Sequence, residues 1–188
     1  MRGAGRRGTS AIIWIDSVDS TNKEVRRRLE GLDNMSVISA REQTAGRGQG
    51  DHKWHSLPGQ NLTFTVLLKF ADIGVLPARE AGRINDFVTS SLLAYLASRG
   101  IQARIKLPND IYVKDKKICG MLIENILDGP NIDKTIIGIG LDVNQTDFPD
   151  DLPNPVSMAQ LTGRTYVIEE ELARLIAEMQ SRLPDLLP

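Results

Sequence analysis

The chain has 188 residues, 41% of them hydrophobic and 25% charged, and its 23 basic and 24 acidic side chains give a net charge of −1. This composition fits one globular domain and excludes a disordered chain, a fibrous repeat and a coiled coil. The balanced charge excludes a broad basic surface for non-specific nucleic-acid binding. The single cysteine excludes an internal disulfide and a cysteine-based zinc site. No apolar run approaches the roughly 18–20 residues that cross a bilayer, so we expect a cytoplasmic protein that does not enter a membrane.

The N-terminal part predicts two strands, one helix and a long loop. Residues 1–10 are basic and lack an apolar run, so we expect a flexible tail. Short apolar runs predict strands over 11–15 and 37–40, with a helix over 20–30 between them. Residues 42–60 show no periodicity and contain several glycines. A loop of that length usually has a function.

Ser20-Thr21-Asn22 opens the first predicted helix, where Thr21 and Glu24 have the spacing of a capping box. Gly31 is the expected stop.

The remainder of the chain predicts one sheet with helices packed on it. Alternation over 62–69 predicts a strand with at least one buried face, and helical periodicity follows over 77–99 and again over 168–183. Four further β-like segments lie between these helices, at 101–106, 111–114, 117–127 and 132–143. Since strands mostly follow strands, we expect an α+β fold with a mixed, largely antiparallel sheet.

The segment from Gln43 to Gly50 is the first candidate binding element. Gly46 and Gly48 flank Arg47, so the backbone can approach a ligand closely while the guanidinium binds carboxylate or phosphate oxygens. The spacing is neither that of a Walker A loop nor that of a dinucleotide-binding loop. A flexible surface loop with an incidental arginine stays open as the alternative.

The segment Lys106-Leu107-Pro108-Asn109-Asp110 is the second candidate. Proline, asparagine and aspartate suit an ordinary tight turn. Alternatively, Lys106 points from a strand end into a pocket, and Asn109 and Asp110 are polar or metal ligands.

Glycines within predicted strands form a third group of candidates. Gly138 and Gly140 are two residues apart and therefore lie on one strand face, which would be a bare floor for a flat ring. Gly120 also interrupts a strand, as close backbone approach or a plain bulge would require.

The two histidines, the cysteine and one tryptophan are further candidates for a functional role. His52 and His55 lack a third ligand at metal spacing, and we expect them to face solvent. We interpret Cys119 as a core residue. Trp54 either stacks on a base or packs the loop against the sheet.

These motifs, taken in order, resemble the catalytic domain of biotin protein ligase over roughly residues 11–183. The matching elements are Ser20-Thr21-Asn22, the loop from Gln43 to Trp54, the Lys-x-Pro-Asn-Asp segment at 106–110, Lys117-Ile118-x-Gly120 through Glu124, and Gly138 through Asn144. The resemblance implies that biotin and ATP form biotinyl-5′-AMP and pyrophosphate, and that biotin then passes to a lysine of a biotin carboxyl carrier protein. It implies Mg²⁺ as cofactor, with Asp110 as the expected ligand.

The resemblance also implies site residues. Arg47 and Lys106 are the expected catalytic residues. The expected biotin-binding residues are Ser20, Thr21, Asn22, Gln43, Arg47, Gly48, Gln49, Lys106 and Gly120. The expected ATP- and adenylate-binding residues are Arg47, Trp54, Lys106, Asn109, Gly140 and Asn144.

Some features depart from the family pattern. Gln49 stands where many relatives have arginine, Leu107 replaces a tryptophan and Asp142 replaces an asparagine, which puts adenylate retention in question. We expect no N-terminal helix-turn-helix and therefore no DNA partner, and a C-terminal β-barrel domain that is absent or truncated. The sequence leaves open whether the protein forms a homodimer.

Two alternatives to a biotin ligase remain at this stage. A lipoate or octanoate protein ligase or transferase would share the fold and the lysine chemistry. A non-catalytic biotin- or adenylate-binding module would bind the ligand without releasing pyrophosphate.

Overall fold

A computed structural model describes residues 11–187. The flexible tail predicted for residues 1–10 therefore lies outside the described residues. The eight strands are β1 (Ile12–Val18), β2 (Val37–Gln43), β3 (Leu62–Lys69), β4 (Leu76–Pro77), β5 (Arg104–Lys106), β6 (Asp110–Val113), β7 (Lys116–Asp128) and β8 (Asn131–Leu141). The five α-helices are α1 (Thr21–Arg27), α2 (Phe70–Ile73), α3 (Gly82–Ser98), α4 (Met158–Thr162) and α5 (Ile168–Arg182).

The strands form one sheet in the order β1-β2-β3-β8-β7-β6-β5, and β4 pairs with β8. The β1–β2 pair is parallel, and the other described pairs are antiparallel. The predicted mixed, largely antiparallel α+β fold is therefore confirmed. None of the helices in the described part of the chain combines the length and apolar character that a membrane crossing needs.

The central strands β3 and β8 are buried on both faces, because helices cover both sides of the sheet. One face carries the main core, to which the alternate residues Phe64 and Ile139 contribute together with Leu92 of α3 and Leu172 of α5. The helix stripes predicted for 77–99 and 168–183 point into this core, which explains their period.

The opposite face of the sheet is apolar at one end and is formed by small residues at the other. At one end Ile38, Leu67 and Ile136 pack under Val25 of α1 in a second apolar cluster. Further along, the strand pairing brings small residues together, with Thr65 opposite Gly138 and Thr63 opposite Gly140. Since small side chains leave space above the sheet, this end of the face can hold a cavity.

Several local predictions were wrong or incomplete. The Thr21–Glu24 capping box does not form, because Ser20 is the N-cap of α1 and Glu24 pairs with Arg27 and Arg28 instead. Strand β2 runs on to Gln43, beyond residue 42 at which the predicted loop begins. The short helix α4, which has a real capping box between Ser157 and Gln160, was not predicted at all.

Candidate active site

A cavity of about 380 Å³ lies above the small-residue end of the sheet. It falls within the range of small-molecule sites, about 300–1,000 Å³. Helix α1, the glycine-rich loop and strands β6, β7 and β8 contribute to its walls. The lining includes Ser20, Thr21, Asn22, Gln43, Arg47, Gly48, Gln49, Trp54, Asn109, Asp110, Tyr112, Lys117, Gly120, Gly138 and Gly140.

The bare strand face predicted from Gly138 and Gly140 is present but covered. A Cβ atom at Gly138 would overlap the side-chain amide of Asn22, and one at Gly140 would overlap the indole of Trp54. The flat ring over this floor is therefore the protein's own tryptophan. Its Nε1–H is buried and has no hydrogen-bond partner.

The start of α1 is joined to the sheet through polar side chains. The backbone N–H of Thr21 donates to Oε1 of Gln43 at 2.8 Å. The hydroxyl of Thr65 lies 2.8 Å from that of Thr21 and donates to Oδ1 of Asn22 at 2.7 Å. Ser20, Thr21 and Asn22 are each at most 3% exposed. These bonds fix the polar groups at one end of the cavity before any ligand arrives.

The glycine-rich loop folds back on itself beside the cavity. The N–H of Gly48 donates to the carbonyl of His52 at 2.8 Å, and that of Trp54 to the carbonyl of Gly46 at 3.0 Å. A Cβ atom at Gly46 would lie only 2.5 Å from the carbonyl oxygen of Trp54, so glycine is required there. This antiparallel pairing of the two arms of the loop places the indole of Trp54 over Gly140.

The cations Arg47, Lys53 and Lys117 line the cavity, and two of them have close carboxylate partners. The guanidinium of Arg47 lies 3.9 Å from a carboxylate oxygen of Glu124. The ammonium of Lys117 is 2.7 Å from Asp110 and 5.7 Å from the ring centre of Trp54. Both side chains are partly exposed, so they can bind an anionic ligand.

Lys106 is not among the residues that line the cavity. Its ammonium lies 3.3 Å from the hydroxyl of Tyr112 and 4.4 Å from the centre of that ring. Strand β5 is short and exposed, and its last residue contacts an aromatic side chain that itself lines the cavity.

Asn144 is also absent from the lining. Its Nδ2 donates to the carbonyl of Tyr166 at 2.8 Å, and its Oδ1 accepts from the N–H of the same residue at 2.9 Å. The amide is therefore used to fasten two segments together.

Lys117 is one of several cavity residues that the sequence patterns did not assign to the site. Alternation along β7 would place it on the face opposite Gly120, but the pairing shifts between Ile111 and Tyr112. This irregularity places Ile118 in the main core and leaves Lys117 opposite Tyr112, on the cavity face. Lys117 stands between the exposed Lys116 and the buried Ile118, so alternation along the strand gives no signal for its position.

Two buried ionisable groups lie near the site. Burial raises the pKa of Asp142 well above its usual range, and Lys117 only partly opposes this. The Asp142 side chain has one carboxylate oxygen without a hydrogen-bond partner. Cys119 is fully buried, and this burial raises its pKa, which agrees with a core residue and not with a nucleophile.

Comparison with known proteins identifies the family. The profile of the biotin/lipoate A/B protein ligase family matches residues 14–143. The chain belongs to this family.

Two relatives illustrate the extent of the similarity. The chain is 31% identical over 170 residues to a biotin–[acetyl-CoA-carboxylase] ligase of Paracoccus denitrificans, covering 87% of this chain and 69% of the relative. It is 32% identical over 157 residues to the bifunctional ligase/repressor BirA of Bacillus spizizenii, covering 81% of this chain. The match spans only 47% of that relative, so the chain corresponds to about half of it.

Solved structures agree with this family assignment. A biotin protein ligase of Aquifex aeolicus in complex with biotin and ATP superposes with a TM-score of 0.73 at 28% identity. The match covers 92% of this chain and 69% of the Aquifex chain. The sheet and helices described above are therefore those of the family fold.

Proposed function

We propose that this family member is a biotin protein ligase that activates biotin with ATP and transfers it to a lysine of a biotin carboxyl carrier protein. The carboxylate oxygen of biotin attacks the α-phosphorus of ATP, the bond from that phosphorus to the bridging oxygen breaks, and pyrophosphate leaves. The carrier lysine then attacks the acyl carbon, loses a proton and displaces AMP. The observation that supports the proposal is one cavity lined both by fixed amide side chains and by the cations Arg47, Lys53 and Lys117.

The polar end of the cavity suits the ureido ring of biotin. Thr21, Asn22 and Gln43 are held in place by the hydrogen bonds described above. The ureido group has donors and an acceptor in a rigid ring, which such side chains can pair. The alkyl chain of octanoate has no donor or acceptor for these side chains, so it would forgo the hydrogen bonds of a ureido group, each worth about 0.5–1.5 kcal/mol.

The cationic part of the cavity suits the reacting groups. Two anions, a carboxylate and a phosphate, must approach each other in the first step. Arg47 and Lys117 would offset that repulsion without reorganising, because both line the cavity in the empty site. Lys117 therefore takes the place that the sequence resemblance gave to Lys106.

Mg²⁺ is proposed as a cation that enters with the nucleotide. Among residues 11–187 no cluster of three or more histidine, cysteine, aspartate or glutamate side chains could hold a metal ion. Asp110 supplies a carboxylate to the cavity lining, and it is already paired with Lys117. One carboxylate together with substrate phosphates is a usual ligand set for Mg²⁺. When bound, the cation would neutralise phosphate charge.

The direct test is incubation of the protein with biotin, ATP and Mg²⁺, followed by measurement of pyrophosphate and mass spectrometry of the retained ligand. We expect pyrophosphate release that depends on biotin, and a retained mass equal to biotinyl-5′-AMP. A parallel incubation with octanoate tests the lipoate-type alternative. Binding of biotin without pyrophosphate release would instead indicate a non-catalytic module.

A further inference from the structure

Glu124 lies beside the cavity without forming part of its lining. It follows Gly120 and Leu122 on the same face of β7, since side chains alternate along a strand. Its side chain is 24% exposed. Donor groups on neighbouring elements pair with this carboxylate, and two of the residues that supply them, Asn22 and Arg47, line the cavity.

The two carboxylate oxygens of Glu124 contact different elements. Oε2 accepts a hydrogen bond from Nδ2 of Asn22 at 2.9 Å. Oε1 lies 3.9 Å from Nη1 of Arg47 and 3.5 Å from Nη2 of Arg26 on α1. One side chain thereby joins the amide above the cavity floor to the guanidinium of the glycine-rich loop.

The contact with Asn22 determines which way its amide faces. An ionised carboxylate can only accept, so the NH₂ group must face Glu124 and the carbonyl oxygen must face the hydroxyl of Thr65. Because this amide lies over Gly138, its orientation sets which atoms a ligand meets there.

The contact with Arg47 fastens the loop. Within the described part of the chain, Glu124 is the carboxylate that lies within 4 Å of the Arg47 guanidinium. Trp54 lies in the same loop, seven residues after Arg47, and its indole covers Gly140. The position of the loop and the position of the indole therefore depend on each other.

We propose that Glu124 is a positioning residue that holds the Arg47 loop, and with it Trp54, over the cavity while it orients Asn22. It acts through these side chains and does not itself touch the ligand. The position of the loop is a property of the empty protein. Only the consequence for retention of the activated ligand rests on the proposed function.

The first experiment measures how well Trp54 is covered. In a Trp14→Phe background Trp54 is the remaining tryptophan, so its fluorescence quenching by acrylamide reports indole exposure directly. We expect Glu124→Gln to raise the exposed population about two- to fivefold, the scale of a partly exposed ion pair. Glu178→Gln is the matched control, because Glu178 pairs with Arg182 on α5 and should leave quenching unchanged.

A double-mutant cycle tests whether Glu124 acts through Arg47. Arg47→Gln should raise quenching as Glu124→Gln does, and adding Glu124→Gln to it should cause little further change. Equal quenching in Glu124→Gln and the control, or additive effects in the cycle, would overturn the proposal. Because Arg47 is half-exposed, we expect its variant to fold, so its quenching can be measured even if the Glu124 variant folds poorly.

The second experiment measures retention of the ligand formed from biotin and ATP. Glu124→Gln should shorten its half-life on the protein by about two- to fivefold relative to Glu178→Gln. If the unmodified chain forms no such ligand, the proposed function fails, while the fluorescence result still decides the role of Glu124. An unchanged half-life with increased quenching would limit Glu124 to the empty protein and overturn its role in ligand retention.

Discussion

The ammonium group of Lys117 is held at the cavity by specific neighbours. Asp110 lies 2.7 Å away, and Lys117 atoms lie 3.3 Å from where a Cβ of Gly120 would be. A larger residue at 120 would therefore displace the lysine. A positive charge fixed in advance can stabilise charge that develops during the reaction without the protein having to rearrange.

Replacing Lys117 by alanine should lower biotin- and ATP-dependent pyrophosphate release by about 10²-fold or more, the scale of one lost charge stabiliser. The matched control is Lys106→Ala, which removes an exposed lysine on Tyr112 and should change the rate about twofold or less. Initial rates of pyrophosphate release in both variants check this. A larger loss in Lys106→Ala than in Lys117→Ala would return the catalytic role to Lys106.

Asp142 should make the stability of the protein depend on pH. It is 4% exposed, and burial raises its pKa in the folded state. Folding then favours the protonated form, so its contribution is fully present below the unfolded pKa of about 3.9. That contribution is lost as the pH rises through the raised folded pKa.

Asp142→Asn should therefore stabilise the protein at pH 7, by about 1–3 kcal/mol, and change it little at pH 4. Urea unfolding at the two pH values measures the difference. Asp150→Asn, at an exposed position, is the control and should show no such pH dependence. Equal effects of Asp142→Asn at both pH values would show that burial of the carboxyl group is not the cause.

At the scale of elements, one face of β8 packs against α1 at one end and borders the cavity at the other. Ile136 packs under α1, whereas Gly138 and Gly140 leave the room that Asn22 and Trp54 enter. The change from a large to a small residue occurs within one strand, at the point where the helix gives way to the cavity.

Gly140→Ala should disturb the cavity because its methyl group would overlap Trp54, and a strand backbone paired on both sides cannot move away. Overpacking of this kind costs about 1–3 kcal/mol, so we expect biotin binding to weaken by roughly 5- to 150-fold. Calorimetry with biotin measures it. Gly31→Ala has open space around the new atom and should bind as the unmodified chain does.

At the scale of the whole molecule, the sheet separates a stabilising face from a binding face. On the first, the hydroxyl of Tyr95 on α3 donates to Glu171 on α5 at 2.5 Å, and Arg99 pairs with the same carboxylate at 2.9 Å. Burial and the bond to Glu171 raise the pKa of Tyr95. This group joins two helices that do not line the cavity.

Tyr95→Phe should lower the free energy of unfolding by about 1.5–3 kcal/mol, since a bond to a buried charged group is lost. Biotin affinity should stay the same, because the sheet lies between this group and the cavity. Urea unfolding and calorimetry on the same preparation check both parts. A loss of affinity without a loss of stability would contradict the separation of the two faces.

Local pattern was sufficient to predict most of the architecture. Alternation over 62–69, the helical stripe through Ile84 and Leu92, and two glycines two residues apart each express the geometry of a single element. Such periodicities do not depend on distant contacts, so the strands, the long helices and the shared face of Gly138 and Gly140 were all predictable. The family resemblance likewise rested on residues read in order.

Tertiary structure decided where individual side chains point. An irregularity in the β6–β7 pairing turned Lys117 into the cavity, whereas Lys106 came to lie on Tyr112 outside it. The amide of Asn144 was used by Tyr166, and the indole of Trp54 covered the glycine floor. Each outcome depends on the register between strands or on a contact between segments far apart in the chain, and neither quantity is expressed in the spacing of residues along one element.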